Sequence, residues 1–459
     1  MGYVKAGTLS FHMPGHQQGR GASPGLRELM SHALQADLTQ VLGLDDMHRP
    51  LGPCGQAQQL AARAYGSQAS YFLVNGSSGG IHAMLMAALR PGQRVLLPRN
   101  AHRAALGGAL LSQAEVSFYQ GRWDAEMGVY HPPDLPLIQE AFARAPGPVK
   151  ALYLTSPTYY GACLPDLQEV VDWAHRQDLL VLVDEAWGPH LVFHPRLPLS
   201  ALKAGADLVV HSTHKLLCGL SQASMLHRQG HRLDVRRLEN VLSLLQTTSP
   251  NCLLLASLDA ARAQMEQQGQ ELLEATLQVA DEVRRQLQAM PWLWLPEIEG
   301  CDPTRVVFQH RQLRGTSVER RLREEHNLQV EMSDPLNVVC LLTVGHRPED
   351  GQRLVEALRS LGEVEPESRP YAQPLDEFPE AAMSPRQAFD HPSERVPWHQ
   401  AAGRICAETL TPYPPGVPAI YPGEVLSKGL IERLREEAAV GVLLQGAEDA
   451  FLNTVRVLS

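Results

Sequence analysis

The sequence lacks the cysteine and histidine patterns of a metal-binding or disulfide-linked protein. Its seven cysteines are scattered along 459 residues, and no two have the CxxC spacing of a zinc ribbon. An odd number of dispersed thiols also argues against a disulfide framework, and it favours a reducing compartment. His12 and His16 lie four residues apart, but Pro14 between them prevents the helix that would bring both rings to one face. We therefore predict no metal site.

Positive charge and long apolar runs are also scarce. Lys and Arg total 40 against 50 Asp and Glu, which gives a net charge of −10, whereas a duplex-binding protein needs a concentrated basic face. A negative field attracts cationic ligands, although acidity that serves only solubility explains the charge equally well. No apolar run approaches the ~20 residues of a membrane-spanning helix, and the first residues lack a signal-peptide core. We expect a cytoplasmic protein with no nucleic-acid or membrane partner.

Short apolar runs alternate with amphipathic stretches from about residue 46 to 230, which is typical of βα units on a parallel sheet. An amphipathic helix is predicted over residues 165–177 and one long helix over 250–290. A smaller α/β unit is predicted over 303–360. The clearest strands of the first region are Arg94–Leu97, Ala151–Thr155, Leu179–Val183 and Asp207–His211.

These patterns predict five segments. Residues 1–45 form an N-terminal arm, 46–265 a large domain and 266–362 a small α/β domain. Residues 363–397, rich in Glu and Pro, form a connector, and 398–459 a C-terminal segment.

A Gly/Ser turn at 75–80 follows one apolar run and precedes a helical pattern. Strand, turn and helix in that order can present Ser77, Ser78 and backbone N–H groups to a phosphate at a helix N-terminus. Neither GxGxxG nor a Walker A sequence is present. By itself the segment is equally well explained as a plain structural turn.

Two side chains at predicted strand ends can act on a pyridine ring. Asp184 ends a buried strand, where ligands bind in open α/β sheets, and its carboxylate can keep a pyridine nitrogen protonated. Ala186 leaves room for a flat ring. An isolated aspartate there is more often a helix cap. Lys215 follows another strand, in a setting where partial desolvation would lower its pKa and let it form a Schiff base.

His102, after a third strand, could stack on the same ring, although by itself it is more simply a helix-terminal residue. Together, a phosphate turn, a stacking histidine, a carboxylate and a lysine lie at strand ends of one predicted sheet. Since parallel strands bring their carboxyl ends to one edge, the combination predicts a pyridoxal-phosphate (PLP) site.

Six segments have the character of family motifs: Phe11–His16, Gly43–His48, Thr155–Gly161, Ser212–Lys215, Thr247–Pro250 and Tyr413–Pro418 through Pro422–Glu424. By these segments the chain resembles the bacterial ornithine/lysine/arginine decarboxylases among fold-type I PLP enzymes. The resemblance covers nearly the whole chain, and the last of its motifs is absent from general aminotransferases.

The resemblance implies an α/β fold, with a mostly parallel seven-stranded sheet covered by helices on both faces and smaller C-terminal α/β domains. It implies a PLP-dependent decarboxylase of a basic amino acid, arginine before lysine or ornithine, and a homodimer or larger homo-oligomer in polyamine biosynthesis. Lys215 would carry the coenzyme, Asp184 would contact its ring nitrogen, and His102 would stack on it.

The remaining implied contacts concern the phosphate, the ring and the substrate. The sequence leaves open whether His214 or Lys215 reprotonates the substrate's Cα. Ala186 and Trp187 would lie near the ring, Ser77, Ser78, Ser212 and His214 near the phosphate, and Thr247 and Thr248 near a neighbouring subunit's phosphate. Candidates for the substrate's distal cationic group are Glu424 first, then Asp45 and Asp46.

Departures from the family pattern are few. The chain resembles short members, several of them biosynthetic arginine decarboxylases, and lacks the N-terminal wing of the long enzymes, which puts decamer assembly in doubt.

An aminotransferase or aldolase on the same scaffold is the alternative enzyme. A PLP-dependent regulator would need a basic helix-turn-helix, which neither terminus provides.

Overall fold

The computed structural model describes residues 2–41, 43–368, 378–413, 417–439, 442–449 and 452–459. Its helices are α1 Gly2–Lys5, α2 Pro24–Met30, α3 Ala33–Ala36, α4 Pro53–Tyr65, α5 Gly76–Ala88, α6 Arg103–Ser112, α7 Leu135–Arg144, α8 Leu167–Arg176, α9 Thr213–Leu216, α10 Val235–Leu245, α11 Cys252–Gln288, α12 Gly315–His326, α13 Pro348–Leu361, α14 Pro385–Asp390 and α15 Lys428–Ala439.

The strands complete the description of the secondary structure. They are β1 Ala69–Leu73, β2 Arg94–Pro98, β3 Glu115–Tyr119, β4 Trp123–Asp124, β5 Val129–Tyr130, β6 Val149–Thr155, β7 Leu180–Asp184, β8 Leu208–His211, β9 Ser224–Arg228, β10 Leu293–Trp294, β11 Arg305–His310, β12 Met332–Ser333, β13 Asn337–Leu341, β14 Ser393–Pro397, β15 Thr411–Tyr413, β16 Leu443–Gln445 and β17 Thr454–Leu458.

Within the described residues, a seven-stranded sheet has the order β1-β9-β8-β7-β6-β2-β3. The pairs β2–β3, β2–β6 and β7–β8 are parallel, whereas β9 runs antiparallel to both β8 and β1. The chain divides into two compact units, residues 1–88 with 171–274 and residues 89–170 with 275–459.

The first unit contains β1, β7, β8 and β9 with helices α4 and α5. The core strand β7 is buried at every position, as expected for a strand that helices cover on both faces. Gly80 lets α5 pack closely on these strands, because a Cβ there would lie 2.6 Å from Leu73 Cδ1 and 2.7 Å from Val210 Cγ2.

The second unit has two further apolar cores in addition to its part of the large sheet. One lies between the antiparallel sheet β10-β11-β13-β12 and helices α11, α12 and α13. The other, within residues 396–457, gathers Trp398, Ile420 and Leu434 with their apolar neighbours around α15. The first core draws on residues 279–361 and the second on residues 396–457.

The structure confirms the predicted elements that surround the site. The four predicted strands are β2, β6, β7 and β8, and the helices predicted over 165–177 and 250–290 are α8 and α11. The predicted connector at 363–397 contains the short helix α14 and the strand β14 in the structure. Its residues 369–377, and residues 414–416 of the Tyr413–Pro418 motif, lie outside the described residues.

The predicted division into five segments remains a prediction. Its junction at 265–266 lies inside the single helix α11, so any boundary there would have to fall within a continuous hydrogen-bonded element. Among the described residues, no helix is both long enough and apolar enough to cross a bilayer.

Gly80 supplies a test of this packing. Replacing Gly80 by Ala forces a methyl group against Leu73 and Val210, and overpacking of this kind lowers the free energy of unfolding by about 1–3 kcal/mol. Gly429 on α15 is the control, since a Cβ there meets nothing within 4 Å. Thermal unfolding should show a lower midpoint for Gly80→Ala and no such drop for Gly429→Ala; equal midpoints would contradict the close packing.

Candidate active site

Asp184 ends β7 and is only 4% exposed. Its Oδ1 accepts a hydrogen bond from the backbone N–H of Ala186 at 3.1 Å, which fixes the carboxylate at the point where the strand ends. Ala186 is itself buried and offers only a methyl group beside the acid. A buried carboxylate at the carboxyl end of a strand can hold a cationic ring nitrogen.

Lys215 lies on the short helix α9, which begins directly after β8. Its Nζ is 3.8 Å from the centre of the Trp187 ring, within the range of a cation–π contact. Trp187 is buried and Lys215 is half-buried. The amine is therefore held against an aromatic face rather than extended into solvent.

The Gly/Ser turn and the lysine loop meet through two hydroxyl groups. The Ser212 hydroxyl donates to Ser77 Oγ at 2.8 Å, and Gly76, at the start of α5, has φ +70°. Ser77 and Ser78 lie in the first turn of this 13-residue helix, whose N-terminal N–H groups favour an anion. The arrangement fits a phosphate group.

His214 is held in its neutral form. Burial lowers its pKa below the usual value, and the positive charge of Lys215 lowers it further, against the opposing effect of the Ala223 carbonyl. Nδ1 lies 2.9 Å from that carbonyl oxygen and must donate to it, because a carbonyl can only accept. At neutral pH the ring therefore has little capacity to act as an acid.

Thr247 and Thr248 are exposed, and side chains of Gln40 and His48 contact their backbone carbonyls. His48 Nε2 contacts the Thr247 carbonyl at 2.9 Å, and Gln40 Nε2 donates to the Thr248 carbonyl at 2.6 Å. These two bonds join the Gly43–His48 motif region to the Thr-Thr loop. The loop is thereby positioned within its own chain.

The adjacent acids Asp45 and Asp46 have different surroundings. Asp45 accepts backbone N–H groups from Asp46 and from residues 51, 52, 54 and 55, so both of its oxygens are engaged at the start of α4. Burial raises its pKa, but these hydrogen bonds outweigh it and hold the pKa below the usual value. Asp46 is exposed and uses Oδ1 for a local bond to the His48 N–H.

His102 and Glu424 belong to the second unit. His102 is exposed and caps α6, with Nδ1 accepting from the Ala104 N–H at 3.2 Å. This is the helix-terminal position that the sequence indicates for the residue by itself. Its predicted stacking on a coenzyme ring remains a prediction.

Glu424 forms a buried two-point ion pair with Arg99. Arg99 Nη1 and Nη2 donate to the two carboxylate oxygens at 2.7 Å each, and the Tyr421 N–H donates to Oε2 at 2.8 Å. The guanidinium lies 5.4 Å from the centre of the Phe118 ring and 5.1 Å from that of the Tyr421 ring, beside a cavity of about 670 Å³. Arg99 therefore already neutralises the Glu424 carboxylate within this chain, which disfavours the predicted contact between Glu424 and the substrate.

The sequence reasoning missed three buried charged or polar groups: Arg99, Glu185 and His211. All three are 0% exposed. Glu185 directly follows Asp184, and His211 directly precedes Ser212. Side-chain alternation could have identified Glu185 and His211. It puts both polar side chains on the core face of neighbouring apolar strands, where each needs a hydrogen-bond partner.

Comparison with known proteins gives a consistent result. Residues 1–307 match the family described as Orn/Lys/Arg decarboxylase, major domain, and residues 369–440 match its C-terminal domain. The chain is 39% identical to the arginine decarboxylase of Bacillus subtilis, over 98% of this chain and 94% of that protein. It is 36% identical to that of Bacillus anthracis, over 99% and 95%.

Among solved structures, the lysine decarboxylase of Francisella novicida matches with a TM-score of 0.87 at 21% identity, over 100% of this chain and 80% of that one. The fold is that of the fold-type I class of PLP-dependent enzymes. The chain belongs to the Orn/Lys/Arg decarboxylase family within that class. It is an enzyme that decarboxylates a basic amino acid.

The ion pair in the second unit can be tested by removing one partner or both. Glu424→Leu leaves the Arg99 cation buried without its carboxylate, which costs about 3–5 kcal/mol of stability. The double variant Arg99→Met/Glu424→Leu should unfold at a higher temperature than Glu424→Leu, since no unpaired charge remains. A Glu424→Leu enzyme that melts like the parent but has a raised KM would instead indicate a substrate contact.

Proposed function

We propose that this protein decarboxylates L-arginine to agmatine and CO₂, with PLP bound to Lys215. The observation that carries the proposal is the position of the Lys215 amine, 3.8 Å from the Trp187 ring centre, in the same unit as Asp184 and the Ser77–Ser212 contact. Two similar proteins, in Bacillus subtilis and Bacillus anthracis, are named arginine decarboxylase, which favours arginine over lysine or ornithine.

The residues of the first unit would bind the coenzyme at both ends. Ser77, Ser78 and Ser212, with the N-terminal N–H groups of α5, would hold the phosphate. Asp184 would accept a hydrogen bond from the protonated ring nitrogen, and Ala186 beside it would leave space for the ring. From the family resemblance, His102 would stack on the other face, and Thr247 and Thr248 would serve a neighbouring subunit's site.

Bound PLP supplies an electron sink for the pair released when the carboxylate leaves as CO₂. Asp184 sustains that sink, because its negative charge keeps the ring nitrogen protonated. Lys215 is the better candidate to return a proton to Cα. His214 is disfavoured for this step, since burial depresses its pKa and its Nδ1–H is committed to Ala223.

Recognition of the distal guanidinium requires a carboxylate that is free to pair. Of the three predicted acids, Glu424 is engaged by Arg99 and Asp45 by backbone N–H groups. Asp46 is exposed, and we place it first for contact with substrate. Glu424 and Asp45 would act indirectly, by shaping the segments that carry them.

The proposal includes a homodimer. Several large apolar side chains of the first unit are exposed, which is costly for a chain that stays monomeric. Phe11 is 94% exposed, Leu29 and Leu51 79% each and Leu244 74%. Phe11, Leu29 and Leu51 lie within the first 51 residues, which also contain the two side chains that contact the Thr247–Thr248 loop. Association of two copies would therefore bury these apolar side chains beside the proposed shared site.

The primary test combines product analysis with one substitution. Supplied with arginine, lysine and ornithine, the purified enzyme with PLP should release CO₂ fastest from arginine and form agmatine without any keto acid. Lys215→Ala should abolish the visible absorbance of lysine-bound coenzyme and nearly all turnover, whereas Lys203→Ala, at an exposed lysine of the same unit, should change neither. Keto-acid-dependent amine transfer without CO₂ would refute decarboxylation.

The dimer is tested at its exposed apolar surface. Leu244→Glu introduces a charge where the proposed interface excludes water, so sedimentation should show a larger monomer fraction. Leu443→Glu is the control, because Leu443 is also exposed, at 61%, but lies in the second unit. A dimer that survives Leu244→Glu and dissociates with Leu443→Glu would assign the interface to the other unit.

A further inference from the structure

A cluster of polar side chains lies buried beneath the carboxyl ends of β7 and β8, on the face opposite Asp184. Glu185 Oε2 and His211 Nε2 are 2.7 Å apart, and both side chains are 0% exposed. The Tyr65 ring packs 5.2 Å from His211 and 4.5 Å from His227. None of these residues has a part in the chemistry proposed above.

The Glu185–His211 contact joins the two loops that carry the site. Asp184 pairs with Val210 in the parallel register of β7 and β8, so alternation puts Glu185 and His211 together on the opposite face. Beyond the pair, the chain leads from Glu185 to Ala186 and Trp187, and from His211 to Ser212 and Lys215. The Glu185–His211 bond is therefore the side-chain link between these two strand ends.

A third segment is attached to the same carboxyl group. The backbone N–H of Ala201 donates to Glu185 Oε1 at 2.7 Å, so each oxygen of the carboxyl group has a partner on a different stretch of chain. Gly188 permits this arrangement, because a Cβ there would lie 2.5 Å from Glu185 Cγ. The turn after Asp184 is thus shaped around the Glu185 side chain.

The cluster costs free energy that an apolar core would not. Tyr65 Oη, His211 Nδ1 and His227 Nε2 have no hydrogen-bond partner among the described residues, and each such group costs about 1–3 kcal/mol. Costly polar groups in a core tend to lie at functional sites. Their position directly behind Asp184 and Ser212 therefore indicates a role in the site.

The pair carries no net charge at neutral pH. Burial raises the pKa of Glu185 to about 8, against the opposing effects of the Ala201 N–H and nearby His190, and lowers that of His211 to about 3, with His190 adding to the shift. The protonated acid then donates to Nε2 of a neutral ring. Tyr65 and His227 also face the cluster; burial raises the pKa of the tyrosine and lowers that of the histidine.

We propose that Glu185 and His211 form a positioning pair that fixes the spacing between Asp184 and the Ser212–Lys215 loop, and thereby the seat of the coenzyme. The pair does not touch coenzyme or substrate; it acts through the strand ends. The proposal rests on the PLP site described above. Loss of the pair should weaken coenzyme binding and alter the surroundings of the lysine-bound coenzyme.

The chain offers a matched control at the other end of the same strand. His175 Nε2 contacts Asp207 Oδ2 at 3.0 Å, and Asp207 is 1% exposed just before β8. His211→Leu and His175→Leu thus each remove the histidine of a histidine–carboxylate pair. Measurements are coenzyme affinity, the pH titration of the visible absorbance band, and the melting temperature of the coenzyme-free protein.

His211→Leu and Glu185→Leu should weaken coenzyme affinity by about tenfold or more, by analogy with the loss of hydrogen bonds that support the ligands of bound metals. Both should also shift the midpoint of the band's titration. His175→Leu should lower the melting temperature without either change. Glu185→Gln should resemble the parent, because an amide can accept from the Ala201 N–H and donate to His211 Nε2.

Three outcomes would overturn the proposal. His211→Leu and Glu185→Leu could keep the parental band and affinity while melting like His175→Leu, which would make the pair structural only. Glu185→Gln could be as impaired as Glu185→Leu, so that hydrogen bonds would not suffice. A parent enzyme with no visible band, or a band that survives Lys215→Ala, would refute the proposed PLP site itself and this inference with it.

Discussion

The alternation of side chains between the two faces of the sheet, at the ends of β7 and β8, determines the arrangement of the polar residues in the first unit. Because neighbouring side chains point to opposite faces, each strand end has one polar residue toward the α5 face and another toward the core behind it. Asp184 and Ser212 occupy the first position, and Glu185 and His211 the second. The strand geometry that presents an acid and a hydroxyl group to a ligand therefore also buries a second acid and a histidine, which must find partners there.

A buried ionisable pair is neutral in the first unit, and another is charged in the second unit. In the first, the Glu185–His211 pair is held in its neutral form, since burial shifts both pKa values toward the uncharged species. In the second, Arg99 remains a cation, because a guanidinium cannot lose its proton in a protein. It is instead paired at two points with Glu424 and enclosed by aromatic rings.

The sequence predicted much of the fold and the order of the site residues along it. Strands such as β7 can be predicted because a short continuous apolar run that contains β-branched residues and is bounded by polar residues favours a strand over a helix. Helix α14, within the predicted Pro-rich connector, was not predicted because it is short and begins at a proline, Pro385, which is favourable at a helix start but also typical of loops. Alternation marks Glu185 and His211 as buried polar residues, but their contact was missed because it joins residues 26 positions apart and depends on strand register.

Motif membership and chemical role are separate properties, as the three predicted substrate acids illustrate. The motif that contains Glu424 distinguishes this family from aminotransferases, and in the folded chain this residue stabilises the core, because its carboxylate neutralises a cation that is completely enclosed. Asp45 likewise belongs to a family motif and caps α4. Asp46 makes the fewest structural contacts and has the greatest exposure of the three. An acid can pair with a substrate only if its carboxylate is not already engaged in structural contacts. Burial and intramolecular hydrogen bonds therefore distinguish Glu424 and Asp45, which have structural roles, from the exposed Asp46.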